Sequence, residues 1–437
     1  MNGIYRRFFS YVIPSVLAFA LSGVYAIVDG FFVGNSIGDI GLSAINVAYP
    51  VVTLMQATGS GIGMGGAVLY AVSKAKGEKE EADAYAGGTM VFLLAASVFI
   101  SILCYIFVEP ILLILGGEGQ ILPLGTEYLR VIIPGAVFQI FAVGIVPMIR
   151  NHEGASFAMG AMIAGFLTNI ALDYMLVWEL QWGMAGAALA TIIGEAVTMA
   201  AGVVYLLTKK FRMNAFHIRK MKKVFLGILK IGVAPFGLTM SPILSLILMN
   251  RYSMEYGGES AVACYACIAY ATTIVYMLLQ GAGDGSQPLL SRHYGAGEEK
   301  ELRLVRRLAY CTAAFFAVVS LLVLLALRCD VGRLFGSSEE VTAMVGNVML
   351  IFIAGFPFLA FTRVTTSSFY ATEKAAFSYI LVYAEPVILF VLLMVWPRFT
   401  GLSGVWWSMC AAQILSMAVA AVLKWIEDRK EKPEQQR

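Results

Sequence analysis

The sequence predicts an all-α integral membrane protein, with twelve transmembrane helices forming two six-helix bundles related by a pseudo-two-fold axis. Three observations carry this. The 437 residues are 59% hydrophobic and only 14% charged, with a mean hydropathy of +0.79, whereas a soluble domain runs near ~25% charged. The apolar residues fall in long unbroken runs, not in the short alternating strands of a membrane barrel. The second half of the chain also repeats landmarks of the first, in order, at an offset of about 220 residues. This composition excludes a disordered chain, a disulfide-stapled secreted module and an ordinary cytosolic enzyme.

Apolar runs bounded by charges or by Gly and Pro place the spans near 8–33, 43–72, 85–108, 122–148, 157–178, 183–208, 224–250, 259–290, 305–327, 341–367, 376–396 and 401–425. The first run follows Arg6 and Arg7, is too long for a signal-peptide core and carries Asp29, so it reads as an uncleaved span. Basic residues set the orientation. With both termini in the cytoplasm, the inner side collects Arg6, Arg7, Lys74, Lys76, Lys79, Arg150, the run Lys209 to Lys223, Arg292 through Arg307, Lys374 and the tail from Lys424. The outer side then holds only Arg251, Arg328, Arg333 and Arg398, while Arg130, Lys230 and Arg363 fall inside spans. Adding or losing one span scrambles that alternation. The expectation is a multi-pass protein of the cell (inner) membrane with both termini cytoplasmic.

The duplication is read from four matches. Pro14 answers to Pro235, and Gly59-Ser-Gly-Ile-Gly63 to Gly281-Ala-Gly-Asp-Gly285. Ser73-Lys-Ala-Lys-Gly-Glu78 answers to Ser291-Arg-His-Tyr-Gly-Ala-Gly-Glu298, and Gly183-Met-Ala-Gly186 to Gly401-Leu-Ser-Gly404. Six spans per half is an even number, so both halves start on the same side and are parallel repeats. The expected layout is an amino-terminal lobe at 1–208 (helices 1–6), a basic cytoplasmic linker at 209–223, a carboxy-terminal lobe at 224–426 (helices 7–12) and a cytoplasmic tail at 427–437. Two such bundles rocking about a shared cavity expose it alternately to each side. The duplication therefore points to a transporter without naming its cargo.

Charges within spans need a reason, because burying one costs ~2.5–3.5 kcal/mol even on the lenient insertion scale. Asp29 lies toward the outer end of the first span. Asn169 and Asp173 lie four apart in the fifth and share a helical face. Thr191 lies midway along the sixth, with Glu195 one turn on. If Asp29 and Asp173 converge, they cannot both stay ionised in a low dielectric without a cation, so one holds a proton or a bound Na⁺ bridges the oxygens. Such a pocket is a proton or sodium switch; the alternative is a buried polar network that fixes helix packing, and the residues alone leave both open.

At these positions the sequence resembles the multidrug and toxic-compound extrusion (MATE) family, over essentially the whole chain. The resemblance is carried by Ile13-Pro14, Val28-Asp29-Gly30-Phe31-Phe32-Val33-Gly34, Ile149-Arg150-Asn151-His152-Glu153-Gly154, Asn169-Ile-Ala-Leu-Asp173 and Gly183-Met-Ala-Gly-Ala-Ala188, in that order. It implies a secondary antiporter that expels organic cations and other toxic compounds against inward H⁺ or Na⁺. It further implies a cation site at Asp29, Asn169, Asp173 and Thr191, with Na⁺ held at Asp29, Asn169 and Asp173 where sodium is the coupling ion, and a helix-1 bend at Pro14. No cofactor beyond that ion, no nucleic acid and no second polypeptide are implied, so a monomer suffices, among membrane lipids.

The sequence departs from the family in its second half. The stretch Ile231 to Asn250 contains no acidic residue, and Asn250 stands as the repeat partner of Asp29. A candidate secondary site there comprises Glu385, Arg363 and Asn250. Glu385, just before Pro386, either meets a cationic substrate or pairs with Arg363. Asp284 sits among Gly281, Gly283 and Gly285, where a helix break would let water reach it. The runner-up function is a flippase for a lipid-linked precursor, which wants basic residues on the cavity wall.

Other patterns have plainer readings. Gly61, Gly63 and Gly66 satisfy GxGxxG inside a span, where close helix packing is expected instead of a dinucleotide. Cys264 and Cys267 match CxxC without a redox fold around them. His152, His217 and His293 lie scattered in loops without metal-ligand spacing, and Arg150 with Glu153 and Arg292 with Glu298 are expected as loop ion pairs. No P-loop, HExxH or Ser/His arrangement is present, so no enzyme is expected. The linker is expected to meet anionic lipid headgroups.

Overall fold

The computed structural model describes residues 2–209 and 218–434. Residues 210–217 of the linker, His217 among them, and residues 435–437 of the tail lie outside the described residues. Every described element of regular structure is helical. In chain order, α1 is Asn2–Ile37, α2 Asp39–Lys76 and α3 Lys79–Ile106. α4 is a bent pair, Ile121–Ile132 and Ala136–Asn151. α5 is Ala155–Leu172, continued by a π-helix at Asp173–Glu179, and α6 is Gly183–Thr208.

The helical stretch Ile218–Gly295 is interrupted at Gly258, where φ 65° and ψ −160° end one helix and begin another. It therefore supplies α7 (218–257) and α8 (259–295), and glycine is the residue that takes this backbone without a Cβ penalty. α9 is Glu299–Leu327; α10 is a second bent pair, Glu339–Ala354 and Phe356–Ala371; α11 is Ala375–Val395 and α12 Leu402–Glu434.

Among the described residues nine helices are long and apolar enough to cross a membrane, or eleven with the bent pairs joined. Dividing the longest at Gly258 accounts for the twelve spans. The fourth and tenth differ from the expected straight runs, bending by 61° and 42°. The cause is local: Pro134-Gly135 and Gly355-Phe356-Pro357 withdraw amides from the helical ladder. Hydropathy passes smoothly through both points, so the bends do not show in it. Repeat-related backbone agrees with the sequence duplication: Gly183 and Gly401, opening α6 and α12, adopt φ 60° and 61°.

The chain divides into two compact units, Met1–Met240 with Ser291–Glu298, and Ser241–Leu290 with Glu299–Arg437. Within the first, α2 packs closely on α3 and the second half of α4. The GxGxxG glycines make this possible: a Cβ on Gly63 would overlap the Gly144 backbone, and one on Gly66 the Thr89 side chain. The pattern is a packing seam, as expected. Within the second unit, Phe369, Leu381, Ala420 and Leu423 form a buried core cluster joining α10, α11 and α12. Large apolar side chains such as Phe99, Ile106, Leu207 and Phe315 remain exposed along outer faces, as in helices solvated by lipid.

Candidate functional site

In the first unit three helices bring four polar side chains to one place. α1 supplies Asp29, α5 supplies Asn169 and Asp173 one turn apart, and α6 supplies Thr191. Gly194 lets α5 and α6 approach: a Cβ there would lie 2.8 Å from the Gly165 carbonyl oxygen and 2.9 Å from the Asn169 Cβ. That approach carries Thr191, one turn away, to Asn169, whose Nδ2 donates to the Thr191 hydroxyl at 3.4 Å. The Thr191 hydroxyl donates in turn to the Ala187 carbonyl at 3.1 Å. At Asp173 the helix widens into its π-turn, a form concentrated at functional positions.

Asp29 and Asp173 lie close enough to act on each other electrostatically. Two ionised carboxylates have no proton to share, so they hydrogen-bond only when one is protonated; with both ionised, a cation must sit with them. Asp173 is fully buried and Asn169 is 2% exposed. Asp29 Oδ1, both Asp173 oxygens and Asn169 Oδ1 are sealed from solvent with no other donor from the described residues. Lone pairs left in this way carry a desolvation penalty, which a proton or a small cation removes.

Two tyrosines complete the cluster. Tyr128, on the first half of α4, lies beside Thr191 and within electrostatic range of both aspartates. Tyr25, one turn before Asp29, stacks on Phe166 with ring centroids 5.0 Å apart and acts electrostatically on Asp29 and Glu195. Tyr25 is legible as the i−4 neighbour of Asp29 on the same helix face; nothing in the sequence singles out Tyr128. α1 is continuous through Pro14.

In the second unit Arg363 of α10 and Glu385 of α11 are both buried, and the Arg363 guanidinium lies over the Tyr276 ring of α8 at 5.6 Å. No described contact joins Asn250 of α7 to them; its Oδ1 is buried without a partner elsewhere in the helix. Asp284 departs from expectation. α8 is unbroken there, and the carboxylate is buried, accepting from Tyr370 Oη at 2.7 Å and Gln280 Nε2 at 3.0 Å. Gly283 packs closely against Ser367, and the helix carries no water-exposed break there.

Several loop expectations are corrected. Glu153 pairs with Arg7 at 3.1 Å and Arg292 at 3.5 Å, while the Arg150 guanidinium lies over the Phe19 ring. Glu298 pairs with His293 at 2.6 Å and not with Arg292. The partners of Glu153 come from other helices, so there neighbours in sequence lose to neighbours in space. Arg130 is half exposed and bridged to Glu109 at 2.9 Å. Cys264 and Cys267 are free thiols, and among the described residues no group of His, Cys, Asp and Glu has the geometry of a metal site.

Helical spans throughout, a duplicated six-helix plan and acidic groups buried within the spans define a membrane transporter. The particular family is given by comparison with known proteins. The MatE family model matches residues 14–175 and 235–395, and the chain belongs to that family of transporters, which are not enzymes. Curated relatives include the multidrug export protein MepA of Staphylococcus saprophyticus, 22% identical over 433 residues covering 98% of this chain and 95% of the relative. MepA of Staphylococcus aureus is likewise 22% identical, over 431 residues with the same coverage.

Among solved structures, an outward-facing multidrug resistance MATE transporter of the MOP superfamily superposes with a TM-score of 0.91 at 21% identity, covering 98% of this chain and 96% of that one. A MOP-superfamily transporter from Pyrococcus furiosus, described as having a binding pocket of reversed polarity, gives 0.89 at 22% identity over 96% and 95%. The MATE transporter VcmN of Vibrio cholerae gives 0.90 at 18% identity over 98% of each chain. At these identities the structural likeness establishes the fold.

Proposed function

We propose that this protein is a secondary antiporter that exports organic cations and drugs in exchange for inward H⁺ or Na⁺, by alternating access of two six-helix lobes, 1–208 and 224–426, joined by the basic linker 209–223. The observation that carries the reading is the set of donorless buried oxygens on Asp29, Asp173 and Asn169, beside Thr191. Loading a cation there relieves carboxylate repulsion and satisfies stranded lone pairs, so the loaded and empty states favour different packings of α1 against α5 and α6. Pro14 supplies the pivot, because it leaves the Ser10 carbonyl without its helical amide. One inward positive charge contributes about 2.3 kcal/mol per 100 mV, which shifts a two-state equilibrium about fiftyfold.

The multidrug export named for the MepA relatives supports the class of cargo. The flippase alternative is weaker because Arg130 is spent on Glu109 and Lys230 is exposed, which leaves Arg363 as the buried cation among the three placed in spans. The test is efflux into everted vesicles. Asp173→Asn, which keeps the side-chain shape and removes the titrating group, is expected to abolish gradient-driven accumulation; undiminished accumulation removes the switch.

A further inference from the structure

Glu195 of α6 is an acid within a span of the first unit that the cation site leaves unused. It lies one turn beyond Thr191, on the face of α6 opposite Ile193 and Val204, which are 39% and 56% exposed along the outer side. Glu195 is nevertheless only half-buried. A half-buried carboxyl on the inner face of a helix opens onto space within the bundle, not onto lipid. Relative to the aspartates, Glu195 and Tyr25 are both displaced by one turn toward the end where α1 begins and α6 meets the linker. Arg6, Arg7 and Lys209 lie at that end, which their charge assigns to the cytoplasm.

The groups around Glu195 are those of the aspartate pair. Tyr25 stacks on Phe166 of α5 and lies within electrostatic range of Asp29, Asp173, Tyr128 and Glu195 alike. The basic residues of α4 are engaged elsewhere, Arg130 with Glu109 and Arg150 over the Phe19 ring. A second observation comes from the other half of α4. It runs beside α6 in one register: a Cβ on Gly135 would meet the Ile192 side chain, and one on Gly202 that of Ile145. Gln139, one turn after Gly135 on the same face, is therefore level with Glu195. Gln139 is 4% exposed, and neither its Nε2 nor its Oε1 has a partner among the described residues. Such an amide suits a carboxyl in either charge state, because Nε2 donates to the carboxylate and Oε1 accepts from the acid.

We propose that Glu195 carries the coupling proton between the aspartate pair and the cytoplasmic side, and that Gln139 positions its carboxyl. In the release step an O–H bond breaks at the protonated aspartate and one forms at the ionised Glu195, directly or across one water. The negative charge passes the other way, and Glu195 then gives the proton to water at the inner side and is ionised again. The inference rests on the export reading in its proton-coupled form and goes beyond it by naming the route.

Two measurements on the full chain test it. The first is the infrared difference spectrum of the purified protein between acid and alkaline buffer. The wild type is expected to show a carboxylic-acid C=O component that Glu195→Gln removes. Gln139→Leu should move that component to higher wavenumber, as the carbonyl loses its donor. A spectrum unchanged by Glu195→Gln overturns the proposal. The second is uptake of ethidium into everted vesicles, driven by a pH gradient and followed over a range of pH. Glu195→Gln is expected to slow the initial rate about tenfold or more, positioned proton transfer being worth ~10²–10⁴-fold, and to flatten its pH dependence. Glu195→Asp should restore most of both. Wild-type behaviour in Glu195→Gln, a loss that Glu195→Asp does not relieve, or a loss that comes with a lowered melting temperature overturns the proposal. So does a wild type driven by a sodium gradient alone. Failure of the aspartate switch is read separately from Asp173→Asn; an intact switch with an unaffected Glu195→Gln is failure of the carrier alone.

Discussion

Buried charge occurs in two chemically different settings in this molecule. Glu427, at 2% exposure, sits against Arg306 at 3.5 Å and also pairs with Lys374, so its charge is answered on both sides. Among the described residues Asp29 and Asp173 have no such counter-charge. The first arrangement has no use for a proton or an ion; the second is satisfied by nothing else among the described residues. Glu427→Gln should therefore behave as a structural lesion, leaving the buried Arg306 guanidinium only the half-exposed Asp428 at 3.9 Å as counter-ion, at a cost of up to about 3–5 kcal/mol. Thermal unfolding in detergent is expected to show a clear drop in melting temperature, whereas Asp173→Asn should leave that temperature unchanged or raised, because it removes a repulsion. An Asp173→Asn protein that melts lower than Glu427→Gln would contradict this division.

Helices were legible where composition speaks and illegible where geometry does. The apolar runs locate all twelve spans, and the Gly258 break falls between two of them, because desolvated backbone must be helical. The bends at Pro134 and Pro357 lie inside uniformly apolar stretches, so only backbone chemistry reveals them. Asp29, Asn169, Asp173 and Thr191 stand out as polar residues in such runs; Tyr128 does not, since an aromatic on a helix face reads equally as core. Glu153 and its partners Arg7 and Arg292 are far apart in sequence, and no spacing rule pairs them. At this scale the glycine seam makes a sharp prediction. Gly63→Ala places a methyl group against the Gly144 backbone, which cannot swing aside as a side chain would, and should destabilise the first unit by about 1–3 kcal/mol. Gly160→Ala in α5, with nothing within 4 Å of the new Cβ, should stabilise by up to about 1 kcal/mol through helix propensity. Chemical or thermal unfolding of the two variants side by side tests whether contact or propensity governs.

For the whole molecule, the unequal placement of Lys and Arg is the physical handle on orientation. The connection from α2 to α3 carries Lys74, Lys76 and Lys79, and each basic residue near an anionic cytoplasmic leaflet gains about 1 kcal/mol. The connection from α3 to α4 carries no such cluster; Glu109 and Glu118 lie there. One crossing, α3, separates the two, so they must face opposite sides. An even number of spans then returns the carboxy terminus to the side of the amino terminus. In a background with Cys311 and Cys329, the exposed native thiols, replaced by serine, Glu118→Cys is expected to react with a membrane-impermeant maleimide in intact cells. Glu78→Cys should react only after the membrane is opened. Reversed labelling would invert the topology, and with it the direction proposed for cation uptake and release at Asp29 and Asp173, while leaving the fold and the family unchanged.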